Sequence, residues 1–363
     1  MPSLRRRRSA RTLPSWLPRG RVVRQRSRGV RPVLSTVHAG RAADDPWTDL
    51  VDVMGLRPPR ALPRQLVAFI RAARGRRAVI LRGTVSMSDG YGDLLAGVLL
   101  RVLARDVRVV VSDATIEPGS AALAARLAPG AGPVLRLLSR LLVHAVDSPR
   151  VVWCVLSTAE VDGFRSAWGI RHGEVVFTPF SHSFPRRQPV EGVRNGEHVF
   201  SGGSSLRDYG LLLESWTEDL PPLRVATRRP VDGVERAHGV IEVGPTSPAD
   251  FMRLMASSRV VVLPLARARR STGQQTCLNA LLLGRPLVVT DTPGVRDHVE
   301  DGVTGLVVPS DAAALRAAVR RLVGDPALAD RLGSARRRSV LERFEPRHYR
   351  RRLLEVAGVI DRE

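Results

Sequence analysis

Lysine is missing from this chain of 363 residues: all 57 of its basic residues are arginine. Together with abundant Ala, Gly, Val and Leu, this reads as coding bias in a GC-rich genome, which weakens a nucleic-acid reading of the net charge of +22. Aromatic residues are scarce at 4%, so the core must be aliphatic. There are two cysteines, Cys154 and Cys277, in apolar patterns without metal-ligand spacing. That excludes a disulfide scaffold and points to reduced core thiols in a cytoplasmic protein. No apolar run is long enough to cross a bilayer. The best, Val134–Val146, is interrupted by Arg136, Ser139, Arg140 and His144. His144, His182, His198 and His238 lack ligand spacing and read as structural or surface residues.

Acids are absent from the first 31 residues, which hold 11 arginines and prolines at 14 and 18. Such a segment buries too little apolar surface to order itself and is expected to be a flexible arm, residues 1–32. Its basic start is not followed by an apolar run of ~7–15 residues, unlike a secretory signal. The arm accounts for most of the charge: residues 1–77 carry +15 and the other 286 only +7. A solvated tail is the plain reading. Attraction to an anionic membrane surface is the functional one, and nucleic acid ranks third for want of interleaved aromatics.

From Val33 onward, short apolar runs alternate with longer helical patterns, which predicts parallel sheets with crossover helices. Expected strands of the first half are 33–37, 78–81, 107–111, 151–156 and 175–178. Expected helices are 62–74, 92–103, 121–127 and 134–146, the last a leucine stripe that suits a core more often than a membrane contact. Prolines then break the pattern. The second half restarts with strands at 198–201, 223–226, 239–242, 260–263, 286–290 and 305–308, and helices at 209–216, 249–256, 275–283 and 312–322. The expected organisation is a first domain at 33–180, a linker at 181–196, a second domain at 197–344, and a C-terminal helix in 345–363 that crosses back to the first domain. Two doubly wound sheets place a ligand cleft at the carboxyl ends of their strands.

The motif that carries most chemistry runs from Val260 to Pro309. A buried strand ends at Pro264, a loop carries Arg267, Arg269 and Arg270, and Ser271-Thr272-Gly273-Gln274-Gln275 opens a helix. A helix N-terminus offers unpaired N–H groups and partial positive charge, a ready anion site. A capped strand–loop–helix connection is the equally weighted alternative. The frame around it resembles glycosyltransferase family four, the large retaining nucleotide-sugar group. Gly284-Arg285-Pro286-Leu287-Val288-Val289-Thr290-Asp291, Pro293-Gly294-Val295-Arg296-Asp297 and Glu300-Asp301-Gly302-Val303-Thr304-Gly305-Leu306-Val307 are similar to consecutive elements of that family. The resemblance is specific over about residues 196–344. It implies an α/β protein of GT-B fold, two doubly wound Rossmann-like domains facing a cleft.

The resemblance also assigns residues. Arg207 takes the place of a lysine that contacts the donor diphosphate, while Gly202, beside Gly203, stands where the family has an arginine. Ser271 and Asn279 occupy the places of two glutamates eight positions apart. Asn279 is expected on the donor ribose, Ser271 to Gln275 on the phosphates, and Asp291 and Gly294 along the sugar pocket. In the first domain no histidine lies where relatives present one to the acceptor. Asp89 or Asp93 is a candidate proton acceptor and Asp113 or Glu117 a candidate acceptor-hydroxyl ligand, each weighed against a loop-capping role.

The implied function is a retaining transfer of a sugar from a nucleoside diphosphate sugar to a hydroxyl of a glycan or lipid-linked acceptor. It needs no cofactor or metal, and its setting is expected to be cell-envelope or exopolysaccharide assembly at the inner face of the membrane. Two other readings fit the same residues. One is a nucleotide-sugar 2-epimerase of the same fold. The other is a membrane- or nucleic-acid-binding protein with a vestigial transferase domain.

Overall fold

The computed structural model describes residues 30–37, 45–56, 62–83, 92–114, 131–184, 196–228, 230–234, 239–242, 244–268 and 270–361. Asp89, Glu117, His238, the expected helix at 121–127 and most of the linker (185–195) lie outside them.

Short Val-rich segments form two six-stranded sheets, and every strand pair is parallel. The first sheet contains β1 Val33–Ser35, β2 Val51–Val53, β3 Ala78–Arg82, β4 Arg108–Ser112, β5 Val151–Val155 and β6 Glu174–Phe177, in the order β2-β1-β3-β4-β5-β6. The second contains β7 Val199–Gly202, β8 Leu223–Ala226, β9 Val240–Glu242, β10 Val260–Leu263, β11 Leu287–Thr290 and β12 Leu306–Val308, in the order β12-β11-β10-β7-β8-β9. The order reverses between β1 and β3 in one sheet and between β7 and β10 in the other. Those are the switch points where open α/β sheets bind ligands.

Continuous apolar strands require cover on both faces. On one face of the first sheet, alternate residues such as Val79, Leu81, Val109 and Val111 pack under α2 Leu62–Ala73, α3 Gly92–Leu103, α4 Ala131–Val146 and α5 Glu160–Trp168. On the other face, Ala78, Ile80, Val110 and Val152 meet Trp47 of α1 Pro46–Leu50 and Leu353, Leu354 and Val356 of the last helix, α11 Pro346–Val356. The last helix therefore packs against the first sheet. Arg350 of α11 pairs with the buried carboxylate of Asp45, which also caps α1 by accepting the Trp47 N–H at 3.0 Å. The second sheet is covered on one face by α7 Pro248–Ala256 and α8 Gln274–Leu282, and on the other by α6 Tyr209–Ser215 and α9 Ala312–Gly324; α10 Pro326–Arg343 contributes Val340 to the first of these cores and Leu332 to the second.

Some elements differ from the sequence reading. Residues 46–53 form α1 and β2, where no element was expected. Nine residues beginning at Glu160 form α5, also unexpected; its short segment contains Gly163 and only three large apolar side chains, Val161, Phe164 and Trp168. Helix α4 is not wholly a core helix: Val143 and Val146 are buried, but Leu137, Leu138 and Leu141 face solvent.

Leu353 is fully buried in the core shared by α11 and the first sheet. Leu353→Ala is expected to destabilise the protein by about 2–5 kcal/mol, the range for a cavity left in a packed core. Urea unfolding checks it. A change within error of zero would mean that α11 does not pack there in solution.

Candidate functional site

The loop after β7 carries the first half of the site. Gly203 has φ +109 and Leu206 has φ +49, a left-handed conformation that a branched side chain rarely adopts. The turn brings Arg207 back over the loop, where it forms an antiparallel bridge with Leu265, just beyond β10. The Arg207 guanidinium donates to the carbonyls of Gly202 (3.1 Å) and Ser205 (2.8 Å) and to Thr276 Oγ1 (3.2 Å) on the first turn of α8. A Cβ at Gly203 would lie 2.7 Å from this guanidinium, and one at Gly273, the N-cap of α8 at φ +80, would lie 3.4 Å from it. Two left-handed glycines thus make the slot in which the arginine lies. Burial presses its pKa down, yet a guanidinium remains charged. Gly202 has another reason to be glycine: a Cβ there would strike the Phe251 ring at 2.6 Å.

The loop into α8 is the second half. Thr272 Oγ1 donates to the Ser205 carbonyl at 3.2 Å, and Gln274 Nε2 donates to Ser271 Oγ. Ser271, Thr272 and Gln274 are buried, while Gln275 is exposed. The Ser271 N–H donates to Glu160 at the start of α5, in the first domain. Glu160 also accepts the Leu156 N–H at 3.2 Å. Burial raises its pKa, against the two amides and the charge of Arg270. Next to it, the Thr158 N–H and hydroxyl both donate to Asp297, at 2.9 and 2.7 Å. The segment 157–160 therefore joins the two sheets across the cleft.

Gly294 sits in this joint. Its φ is +85, and a Cβ would collide with Ser157 and lie 2.7 Å from Ser271 Oγ. Beside it opens a cavity of about 720 Å³ whose lining includes Thr158, Arg267, Asp291, Gly294 and Arg296, and so draws on both domains. Asp291 is paired with Arg296 at 2.7 Å.

The opposite wall comes from β4. Asp113 follows it in a left-handed conformation, φ +51. Its neighbours are held by Gly83 N–H donating to Ser112 O (2.6 Å) and Ala114 N–H donating to Cys154 O (2.8 Å). Burial pushes the Asp113 pKa up to about 7; Arg270 and Arg82 oppose the rise and Glu160 adds to it. Tyr349 of α11 lies close enough that its own pKa is raised by burial and then by the Asp113 charge.

Arg207, Gly203, Gly273 and the start of α8 converge, and Asp113 and Glu160 face Arg270 across the cleft. Asn279 does not point toward a donor. Its Oδ1 accepts the N–H groups of Ser183 (2.9 Å) and Phe184 (3.3 Å), and its Nδ2 donates to Ser183 Oγ at 2.9 Å. An amide carries both an acceptor oxygen and donor hydrogens, so Asn279 both accepts from and donates to the same crossover segment. The expected ribose ligand instead fastens the chain where it passes between domains. Asp93 is likewise committed: it accepts from Thr36 Oγ1 and from the Arg82 N–H (3.0 Å) at the β1/β3 switch point. Glu160 was missed by sequence reasoning, and nothing in the local sequence distinguishes it from a first-turn helix acid.

Residues 221–325 match the model of the family described as "Glycosyl transferases group 1". A search of curated proteins finds no match. The solved structures most like this one include HepE from Anabaena in complex with UDP and glucose (14% identity, TM-score 0.61, 91% of this chain and 100% of that one). Sucrose-phosphate synthase from Thermosynechococcus elongatus is similar at 18% identity and TM-score 0.58, covering 85% and 82% of the two chains. WaaG, a glycosyltransferase involved in lipopolysaccharide biosynthesis, is similar at 13% identity and TM-score 0.57, covering 83% and 98%. The chain thus has the α/β GT-B fold, and its residues 221–325 carry the sequence pattern of the group 1 glycosyltransferases.

Proposed function

We propose that this protein is a retaining glycosyltransferase that moves a sugar from a nucleoside diphosphate sugar to a hydroxyl acceptor without a metal ion. The observation that carries the reading is Arg207, held in the slot between Gly203 and Gly273 beside the first turn of α8. As the bond from the anomeric carbon to the diphosphate oxygen breaks, negative charge grows on that oxygen. Arg207 and the N-terminal amides of α8 meet it with preorganised positive charge. The acceptor oxygen bonds to the anomeric carbon from the face that the diphosphate leaves, and its proton passes to the departing oxygen. Asp113, when ionised, accepts a hydrogen bond from the acceptor hydroxyl and so fixes its approach. Asp291 and Gly294 border the sugar's place.

HepE is in complex with UDP and glucose, which makes a UDP-sugar the first donor to try. WaaG's role in lipopolysaccharide biosynthesis supports a lipid-linked or glycan acceptor in envelope assembly, with the arginine arm of residues 1–31 drawing the protein to the anionic inner face of the membrane.

Thermal denaturation with UDP, GDP and ADP tests donor binding. One nucleotide at 100 times its Kd should add about 2.7 kcal/mol. Silence from all three would overturn the reading. Incubation with UDP-GlcNAc and no acceptor, followed by NMR, tests the competing 2-epimerase; an epimerised sugar would replace the transferase reading with that one.

Arg207→Ala should lower kcat by about 10²–10³ if the guanidinium stabilises the developing charge. An unchanged kcat would remove it from the mechanism.

The Asp113 pKa of about 7 separates activity from stability. kcat/KM should rise with pH through about 7, as the carboxylate ionises. The folded state binds more protons than the unfolded state between about 4 and 7, so stability should fall as pH rises over that window. Asp113→Asn should abolish both limbs together. A pH–rate profile that Asp113→Asn leaves unaltered would exclude Asp113 from acceptor binding.

A further inference from the structure

The outer surface of the first domain has a feature that the transfer reaction does not use. Among the described residues of 31–363, nine large hydrophobic side chains are exposed, and seven of them lie on α2, α3 and α4. Four form a stripe along α4: Val134, Leu137, Leu138 and Leu141, each 50–59% exposed, at positions i, i+3, i+4 and i+7. They occupy one side of the helix, while Ser139, Val143 and Val146 occupy the opposite, buried side. Val102 and Leu103 continue the patch at the end of α3, which Arg101 ties to α4 by donating to the carbonyls of His144 and Ala145, both at 3.1 Å. Val67 is exposed on the outer face of α2, which packs beside α3.

The three helices pack side by side on one face of the first sheet and share one core, so their outer faces point the same way. The exposed charge on these three helices has one sign, while exposed Asp106 follows α3 and exposed Asp162 lies on the neighbouring α5. Exposed Arg64, Arg71, Arg101 and Arg140 flank the apolar residues. Helices α2 and α4 contain no acid, and the single acid of α3, Asp93, is turned inward to Thr36 and Arg82. A second copy of the chain docked on this face would set the arginines of these three helices against their own copies, and the helices themselves offer no exposed acid to answer them. A nucleic acid would leave the leucines uncompensated. An anionic bilayer satisfies both: aliphatic side chains enter the boundary between headgroups and acyl chains, and arginines reach phosphates with their stems along the apolar surface. No helix of the described residues is long and apolar enough to cross a membrane, so the contact would be one of lying on the surface.

We infer that the outer face of α4, with the exposed ends of α2 and α3, is a docking surface for an anionic phospholipid bilayer. It covers a face of the first sheet, whereas the cleft lies at the sheet's carboxyl edge, so docking leaves the cleft free.

The test uses the full chain with Leu138→Cys carrying an environment-sensitive fluorophore; Cys154 and Cys277 are both buried and resist labelling. Vesicles of phosphatidylcholine with phosphatidylglycerol should shift the emission to the blue, and pure phosphatidylcholine should do so far less. The double variant Leu137→Ser, Leu141→Ser should weaken vesicle binding by about tenfold or more with the melting temperature kept, since both side chains are exposed in the free protein. Cosedimentation without an emission shift would place binding elsewhere and overturn the inference. So would vesicle binding that the double variant leaves intact, or an emission shift that needs no vesicles and grows with protein concentration. The last result would mark the face as a contact between copies.

Discussion

A buried carboxylate must find hydrogen-bond donors, and this requirement joins the two halves of the chain. Glu160 stands at the start of α5 in the first domain and takes the Ser271 N–H of the second. Leaving either partner alone would cost about 1–3 kcal/mol or more, because a desolvated group would go unmet. Thr158 reinforces the joint on Asp297, and Asn279 fastens the crossover segment from the other side. Because both sheets are parallel, all their loops at one edge share a direction. The contacts through Glu160, Thr158 and Asn279 turn that shared direction into a cleft with a defined width.

The charges are divided between the walls. The first domain supplies the carboxylates of Asp113 and Glu160, and the second supplies Arg207, Arg270 and the amino end of α8. A diphosphate suits the second wall alone, by sign and by the donors available. A hydroxyl suits the first, because a carboxylate accepts its hydrogen bond. On the proposed reading, the arrangement sorts the two reactants to opposite sides of the cleft. Arg270 is felt by both carboxylates, so its charge belongs to the electrostatics of the acceptor wall as much as to the donor loop.

Much of the fold was legible. Runs such as Val260–Leu263 and Leu287–Thr290 are buried on both faces, and only crossover helices provide that cover. The glycines were legible as special positions, but their reasons were not. Gly203 and Gly273 make room for an arginine, Gly294 for a serine of the other domain, and Gly202 for a phenylalanine ring. No local pattern carries such information, because the neighbour in each case is distant in sequence or folded back by a strained turn. Asn279 illustrates the same gap. An amide in a helix has hydrogen-bonding capacity but no stated direction, and the crossover segment used it. The leucine stripe of α4 was ambiguous for a different reason: the helix is apolar on two sides, and periodicity does not say which side meets the sheet.

Two residues other than glycine, Leu206 and Asp113, adopt left-handed backbone conformations among the described residues, and they lie on opposite walls of the cleft. Such conformations cost of order 1–3 kcal/mol and persist only where the surroundings over-determine them. For Leu206 the constraint is the Ala266 N–H on its carbonyl at 3.0 Å and the bridge beside it; for Asp113 it is the pair of hydrogen bonds at Ser112 and Ala114. What each turn achieves is placement: one sets the guanidinium of Arg207 beside the first turn of α8, and the other sets a carboxylate of raised pKa at the end of β4. The strain is thus confined to the two loops that hold charge of opposite sign at the cleft, which is where a transferase needs groups fixed in advance of its substrates.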